Sequence, residues 1–424
     1  MEQFVITKSK NKNLSSRKEL ELLDKQELID KVLQLEAHTI QLKNIIKKVD
    51  NVKSDKKPGK GFDFAQCNKR HILLKFYYLG WNYSGFVEQE DTINTIEHHI
   101  FHALKRSCLI EQRETCNYHR CGRTDKGVSA YSQVISLDIR SRLGPEEQTK
   151  LKEELSYCKI LNRILPKDIR CTAWAPVADE YSARFDCKTR SYRYYFPRGA
   201  LDIEAMNRAA GYLVGHHDFR NLCKMDVANG VVTFERTVID AKIVLNDQDT
   251  SKQSGYDMCQ LIIKSQAFLW HQIRCIMGIL LLVGQKKEDP KIINYLFDIE
   301  KCPRKPQYNL AHELPLNLFY CHYEDVEWFY DESEVEVVIK TLQEEWTLNA
   351  IKAEMIKSII DDLSTHCTSE EGFNYQSDCL IQGVQAKIHQ PLIKRITCES
   401  LENRIKHFEK KRRIEIKNPS KENS

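Results

Sequence analysis

The segment "YHRCGRTDKGVSA", residues 118–130, sets a single carboxylate, Asp125, between two arginines and the glycine Gly127. Asp and Gly close together suit a tight turn, because both tolerate its backbone geometry. That leaves Arg120 and Arg123, crowded into the same stretch, without an explanation. A carboxylate acts as nucleophile or base only while ionised, and a nearby guanidinium favours that form. An Arg–Asp pair is equally an ordinary structural salt bridge, so residue types alone leave both readings open. Two other segments hold candidate chemistry. Tyr192 in "TRSYRYYFPR" is either a sheet aromatic or a group facing a site, and Arg274 in "LWHQIRCIMGILLLVG" is either an interfacial or surface cation or a functional one. His216, His217 and Asp218 could form a metal or acid–base group, but they read better as helix-end histidines with a capping aspartate.

The flanking patterns say what must hold these residues. "RHILLKFYYLGWNYSG" is strand-like and ends in turn residues. "NTIEHHIFHALKRS" puts Ile96, Ile100, Ala103 and Leu104 on one helical face, with Asn94 and Glu97 at capping-box spacing. After Asp125, "SQVISLDIR" alternates, so Ile135, Leu137 and Ile139 share one face of a strand. Asp125 therefore sits in a loop leading into a half-buried strand, a rigid mount for a side chain. In the second half, Arg190, Tyr192, Tyr194 and Phe196 point one way and Ser191, Arg193 and Tyr195 the other. "LDIEAMNRAAGYLVG" is helical and "CQLIIKSQ" is a strand. The helix bearing Arg274 buries Ile273, Ile276, Met277 and Leu280, with Arg274 on another face. Two units of similar size and makeup predict an α+β duplication.

Residues 1–50 form a helical, coiled-coil-like segment, with Leu28, Leu35 and Leu42 at heptad spacing. Residues 51–69 are a basic linker, and 331–424 a helical extension with a basic tail. The two predicted globular units are residues 70–180 and 181–330. The 424-residue chain carries a net charge of only +4, too little to establish a polyanionic partner. Its local distribution says more: Lys57 and Lys60 belong to one lysine-rich run, and Lys411 and Arg412 to a second near the other end. Each run alone reads as a solvated tail; together they make nucleic acid a live partner. The 15 cysteines include no CxxC pair. Cys116, His119 and Cys121 find no second cluster to complete a four-ligand site, so reduced thiols are expected, with no metal. The longest apolar stretch, from Cys275, is too short to span a bilayer, and nothing resembles a signal peptide. A soluble, unsecreted protein without membrane contact is expected.

"GRTDKGVSA" closely resembles the R-T-D-x-G-V motif of the TruA family of tRNA pseudouridine synthases. "YYLGWNYSGFVEQ", "YSARFDCKTRSYRYYF" and "FLWHQIRCIMGILLLVG" resemble its first strand and turn, its tyrosine-bearing strand and its arginine-bearing helix, in the right order over residues 70–325. "HDFRNLCKMDVANGV" and "KPQYNLAHELPLNLFYCHYEDVEW" bring the likeness closest to the eukaryotic branch that modifies uridines 38 and 39, in the tRNA anticodon stem-loop. Trp270 stands where the family often has Tyr, and Lys126 where it often has Ala.

The resemblance implies a fold of two RRM-like α/β subdomains joined into one mixed antiparallel sheet around a basic catalytic cleft. It implies an isomerase that converts uridine to pseudouridine, with Asp125 as nucleophile. Arg274 would pair with Asp125, and Tyr192 would stack on the flipped base. Arg123 would help extrude the nucleotide, and Gly127 would let the loop turn close to RNA. With Arg120, Lys126, Arg190, Lys57, Lys60, Lys411 and Arg412, Arg123 makes up the expected RNA-binding set. The isomerisation calls for no cofactor of any kind, and family members are homodimers. The "KKRR" run at 410–413 reads as a nuclear localisation signal or as RNA contact, so nucleus and cytoplasm are both expected. Rival readings are another tRNA or mRNA site, a noncatalytic tRNA-binding or folding protein, and a structural coiled coil. Retention of Asp125, Arg123, Tyr192 and Arg274 together argues against the last two.

Overall fold

The computed structural model describes residues 62–147, 149–245, 255–366, 374–384 and 388–417. The chain divides into residues 1–63 and a unit from Phe64 to Ser424. The expected N-terminal helix and the linker with Lys57 and Lys60 lie outside the described residues, as do the side chains of Lys411 and Arg412.

The first half runs β1 (Asn68–Tyr78), α1 (Ile96–Arg106), β2 (His119–Arg120), β3 (Ser129–Ser141), α2 (Tyr157–Asn162) and β4 (Ile169–Pro176). Its strands lie in the order β4-β1-β3-β2, all antiparallel. The second half runs β5 (Thr189–Pro197), α3 (Ile203–Gly211), β6 (Gly215–Asp218), β7 (Glu235–Leu245), β8 (Met258–Ser265), α4 (Gln272–Gly284), α5 (Ile292–Phe297) and β9 (Leu316–His322). Its order is β9-β5-β8-β7, with β6 added at the edge. Setting β6 aside, both halves place their fourth strand beside the first, then the third, then the second. This is the RRM-like duplication expected from the paired patterns.

The halves fuse into one nine-stranded sheet where β3 meets β9, through Ser129↔Asn317 and Ala130↔Leu318. This is the one parallel pairing between named strands of the described residues. The apolar run of β1 is buried on both faces from Arg70 onward, as a central strand requires. Along β5, Tyr192, Tyr194 and Phe196 are buried while Arg193 and Tyr195 are only half covered. The alternation read from the sequence therefore holds.

Two local expectations change. The N-cap of α1 is Thr95, whose hydroxyl accepts from His98 N; Asn94 instead reaches back to the Asn82 carbonyl. Glu97 is buried and takes Tyr118 Oη at 2.7 Å, Arg113 at 2.9 Å and Arg120 at 3.1 Å. These three and the Glu88 N–H at 2.9 Å outbid a capping role there, because a buried carboxylate must be paired. His216, His217 and Asp218 are not at a helix end but form β6. Gly215, at φ +117°, breaks from α3 and turns the chain to pair with Glu235–Val238. His217 then stacks on Phe297 at 4.2 Å, while Asp218 holds Arg220 at 2.6 Å. Both are occupied structurally.

Beyond β9 the chain forms α6 (Glu332–Ser364), capped by Asp331, then the short α7 (Asn374–Asp378) and α8 (Leu401–Lys417). Among the described residues no helix is long and apolar enough to cross a membrane.

Candidate active site

The loop carrying Asp125 is fixed from both sides. Cys121 N donates to Val134 O at 2.8 Å, and Gln133 Nε2 holds the Gly122 carbonyl at 3.0 Å. Tyr78 Oη shares a 2.7 Å hydrogen bond with Thr124 Oγ1, and Phe86 N donates to Thr124 O at 3.1 Å. Asp125 itself opens a turn closed by Val128 N on its carbonyl at 3.1 Å. Gly127, at φ +78°, occupies the left-handed corner of that turn. A Cβ there would lie 2.8 Å from Glu313 Cγ. One close approach that glycine permits here is to this chain's own Glu313.

The second half supplies the groups around the carboxylate. The turn into α4 places His271 at φ +56°, an uncommon conformation for a side-chain-bearing residue. It aims Trp270 and His271 at Asp125 together: Trp270 Nε1 donates to Oδ1 at 3.1 Å, and His271 Nε2 lies 3.3 Å from Oδ2. Lys224 sits over the Trp270 ring at 4.3 Å and donates its backbone N–H to the Trp270 carbonyl. Arg274, one turn into α4, does not bond Asp125 directly. Its Nε donates to the Ala311 carbonyl at 2.9 Å, and its Nη2 to Glu313 Oε2 at 3.0 Å and Gln382 Oε1 at 2.7 Å. Only 5% of the Arg274 side-chain residue is exposed, so the expected Arg–Asp pair is replaced by a buried Arg–Glu pair acting on Asp125 through space.

Asp125 is enclosed by protein at the floor of a cleft, yet 32% of its side chain meets solvent. Burial raises its carboxyl above the ordinary range; Arg274 and the Trp270 hydrogen bond pull it down, Glu313 pushes it up, and Lys224 pulls it down. A carboxylate held less comfortably than in water is a more reactive one. Burial and the cations Arg274, Lys224 and Lys305 depress His271 to about 4. The ring is then neutral near pH 7. Its Nδ1 is buried without a hydrogen-bond partner while Nε2 faces the carboxylate. In a pH titration followed by NMR, the His271 imidazole is expected to have its midpoint near 4. A midpoint at an ordinary histidine value would refute the enclosed, cation-flanked environment.

The cleft has a volume of about 1480 Å³. Eight cations line it (Arg120, Arg123, Lys126, Arg184, Arg190, Lys224, Arg236 and Arg274) against four carboxylates, Asp91, Asp125, Asp226 and Glu313. The excess matches a polyanion. Tyr192 lies in its wall, edge-to-face with Phe268 at 5.1 Å, and burial raises its phenol well above the ordinary value. At pH 7 it is a neutral hydroxyl.

The cations divide by occupation. Arg123 and Lys126 are exposed in the cleft. Arg120 is paired with Glu97, and Arg190 donates to the carbonyls of Cys121, Arg184, Cys187 and Gln266, clamping the loops together. The thiol of Cys121 meets Cys187 and Cys321 rather than Cys116, with Cys121 Sγ 3.3 Å from Cys321 Sγ. Sequence reasoning missed Lys224, His271, Glu313 and Gln382 as members of this site. Only His271 carried a signal, its place immediately before the arginine helix; Trp270, noted there as a departure, turns out to touch Asp125.

A family model described as tRNA pseudouridine synthase matches residues 209–324. The Homo sapiens protein named tRNA pseudouridine(38/39) synthase is 44% identical over 426 residues, covering 92% of this chain and 89% of the relative. The Saccharomyces cerevisiae protein of the same name is 44% identical over 281 residues, covering 64% and 62%. A tRNA pseudouridine synthase A from Methanothrix thermoacetophila is 29% identical, covering 68% of this chain and 97% of its own.

Proposed function

The chain belongs to the TruA-type tRNA pseudouridine synthases, enzymes that isomerise uridine to pseudouridine in tRNA, and we propose that its targets are uridines 38 and 39, with Asp125 as nucleophile. The target positions rest on the names of the mammalian and yeast relatives. The role of Asp125 rests on one observation: it is the carboxylate that loop and helix jointly aim into the cationic cleft, with Trp270 and His271 on its two oxygens.

Chemistry on a base requires the nucleotide out of its stack. The exposed Arg123 and Lys126 would meet the phosphates and fill the vacated space, and Tyr192 with Phe268 offers a wall against which the base can lie. Asp125 then promotes cleavage of the N-glycosidic bond, the base turns, and the bond re-forms through carbon. Trp270, which donates to Oδ1, and His271, beside Oδ2, would steady the carboxylate while it reacts. The phenol of Tyr192, protonated at working pH, is fit to exchange a proton with the base.

A homodimer is part of the same proposal. On α6, Leu348, Ile351, Met355 and Ile359 recur at helical spacing and are each more than half exposed, an apolar stripe of the kind that pairs with another helix. Residence in both nucleus and cytoplasm is proposed from the basic run at 410–413. The test of the reaction is pseudouridine mapping on a tRNA carrying uridines at 38 and 39. Conversion at both positions supports the proposal. Conversion elsewhere on tRNA keeps the activity and overturns the assigned positions.

A further inference from the structure

The residues after β9 reach back into the active site. Ala311 bridges Ile381 in antiparallel sense. His312 N donates to Leu380 O at 2.7 Å, and Gln382 N donates to Leu310 O at 2.9 Å. The pairing ends at Gly383, which turns away at φ +83°. Leu380 is buried in the main core, so this short ladder is anchored by packing as well as hydrogen bonds. Backbone register, and not a chance rotamer, therefore delivers the Gln382 side chain to the buried Arg274–Glu313 pair. There its Oε1 accepts from Arg274 Nη2 at 2.7 Å, and its Nε2 donates to Glu313 Oε2.

A primary amide suits this place for a chemical reason. It offers an acceptor to the guanidinium and a donor to the carboxylate while adding no charge. Arg274 and Glu313 act on Asp125 in opposite directions, Arg274 favouring the ionised form and Glu313 opposing it. Their positions relative to Asp125 set the balance. With the amide gone, Arg274 loses one acceptor and Glu313 one donor, in a place where unpaired polar atoms are costly. The pair would then settle into a different geometry around the same carboxylate.

We propose that Gln382, supplied by the C-terminal extension, is a positioning residue for the reaction, holding the Arg274–Glu313 pair in the arrangement that keeps Asp125 reactive. The inference rests on the reading of Asp125 as nucleophile. It gives the extension a function, since a chain ending after β9 would lack the third member of this network.

The test uses the full chain and a uridine-containing tRNA, with single-turnover rates measured across pH at saturating enzyme. Gln382→Met keeps the volume and removes both hydrogen bonds; Gln382→Glu keeps the acceptor and adds a charge; Leu380→Ala keeps the amide and loosens the docked segment that carries it. Gln382→Met is expected to lower the rate roughly tenfold or more with tRNA affinity unchanged, because small misplacements at a reacting centre are costly. Gln382→Glu is expected to move the acid limb of the profile to higher pH, since a further negative charge opposes ionisation of Asp125. Leu380→Ala is expected to lower the melting temperature and, by loosening the segment that delivers the amide, to lower the rate in the same direction as Gln382→Met but by less. Wild-type rate and acid limb in both Gln382 variants would overturn the proposal while leaving the nucleophile intact. A wild type that forms no pseudouridine would remove the reading beneath it, and the inference with it.

Discussion

Asp125→Asn leaves a folded protein that still binds tRNA but forms no pseudouridine. The amide occupies the same volume, and its oxygen can still accept from Trp270 Nε1, so the loop keeps that contact. What it loses is the nucleophile. The expected fall in single-turnover rate is at least ~10⁴-fold, which is about 5.4 kcal/mol of barrier at ~1.36 kcal/mol per decade. Stability should move the other way. Burial raises the Asp125 carboxyl in the folded state, so the folded protein binds its proton more readily than the unfolded chain does. That contribution to stability is present below the ordinary carboxylate value and is lost as pH rises through the raised one. At pH 7 the ionised carboxylate therefore weighs against the fold, and Asn removes that cost. A melting temperature equal to or above wild type, with no product, is the expected pair of readings. A lowered melting temperature together with lost tRNA binding would make Asp125 a structural residue.

Arg274→Ala is expected to remove turnover and a large part of the stability as well. The resemblance implied a cation paired with Asp125, but Arg274 is buried against Glu313 instead, and that setting adds a cost in stability. Arg274 is almost wholly enclosed and donates to Glu313, to Gln382 and to the Ala311 carbonyl. Deleting one partner of a buried ion pair strands the other charge, at a cost of roughly 3–5 kcal/mol. The denaturation midpoint should drop accordingly. Adding Glu313→Gln to Arg274→Ala neutralises the stranded carboxylate and should restore much of that stability while restoring no turnover, because the field that favours ionised Asp125 is still missing. An Arg274→Ala protein with the wild-type midpoint would contradict the buried pair.

The parts of the site that were legible in the sequence are those written in local chemistry. Asp125 stands in a loop before an alternating strand, Tyr192 on a strand whose alternation is plain, and Arg274 on an apolar helix; each occupies the kind of element its neighbours predict. The direct partner of Arg274 was not legible. Glu313 precedes β9 and is indistinguishable in sequence from any loop glutamate, and Gln382 lies in an irregular stretch with no periodicity at all. Both enter through long-range pairing, which leaves no local mark. The same physics explains the two local errors. Asn94 and Glu97 have the spacing of a capping box, but Arg113 and Arg120 claim the glutamate from the far side of the subdomain. His216 and His217 follow a helical pattern, but Gly215 admits a turn that only the presence of β7 makes worthwhile. The fold was readable as a duplication because both halves repeat one strand order, whereas the parallel seam joining them depends on two residue pairs nearly 190 positions apart.

That seam has a consequence for synthesis. The strand that completes the second half, β9, is also the one that joins it to the first, so a nascent chain on the ribosome can build its first half long before it can mate the two. Asp125 emerges early and waits, without Trp270, His271 and Arg274 around it, until residues 316–322 clear the exit tunnel and close a loop of nearly 190 residues. Closing so distant a pairing is slow compared with local helix and hairpin formation. Translation thus separates the making of the reactive carboxylate from its activation, and a truncated product ending before β9 is left with an acid that has nothing to work with.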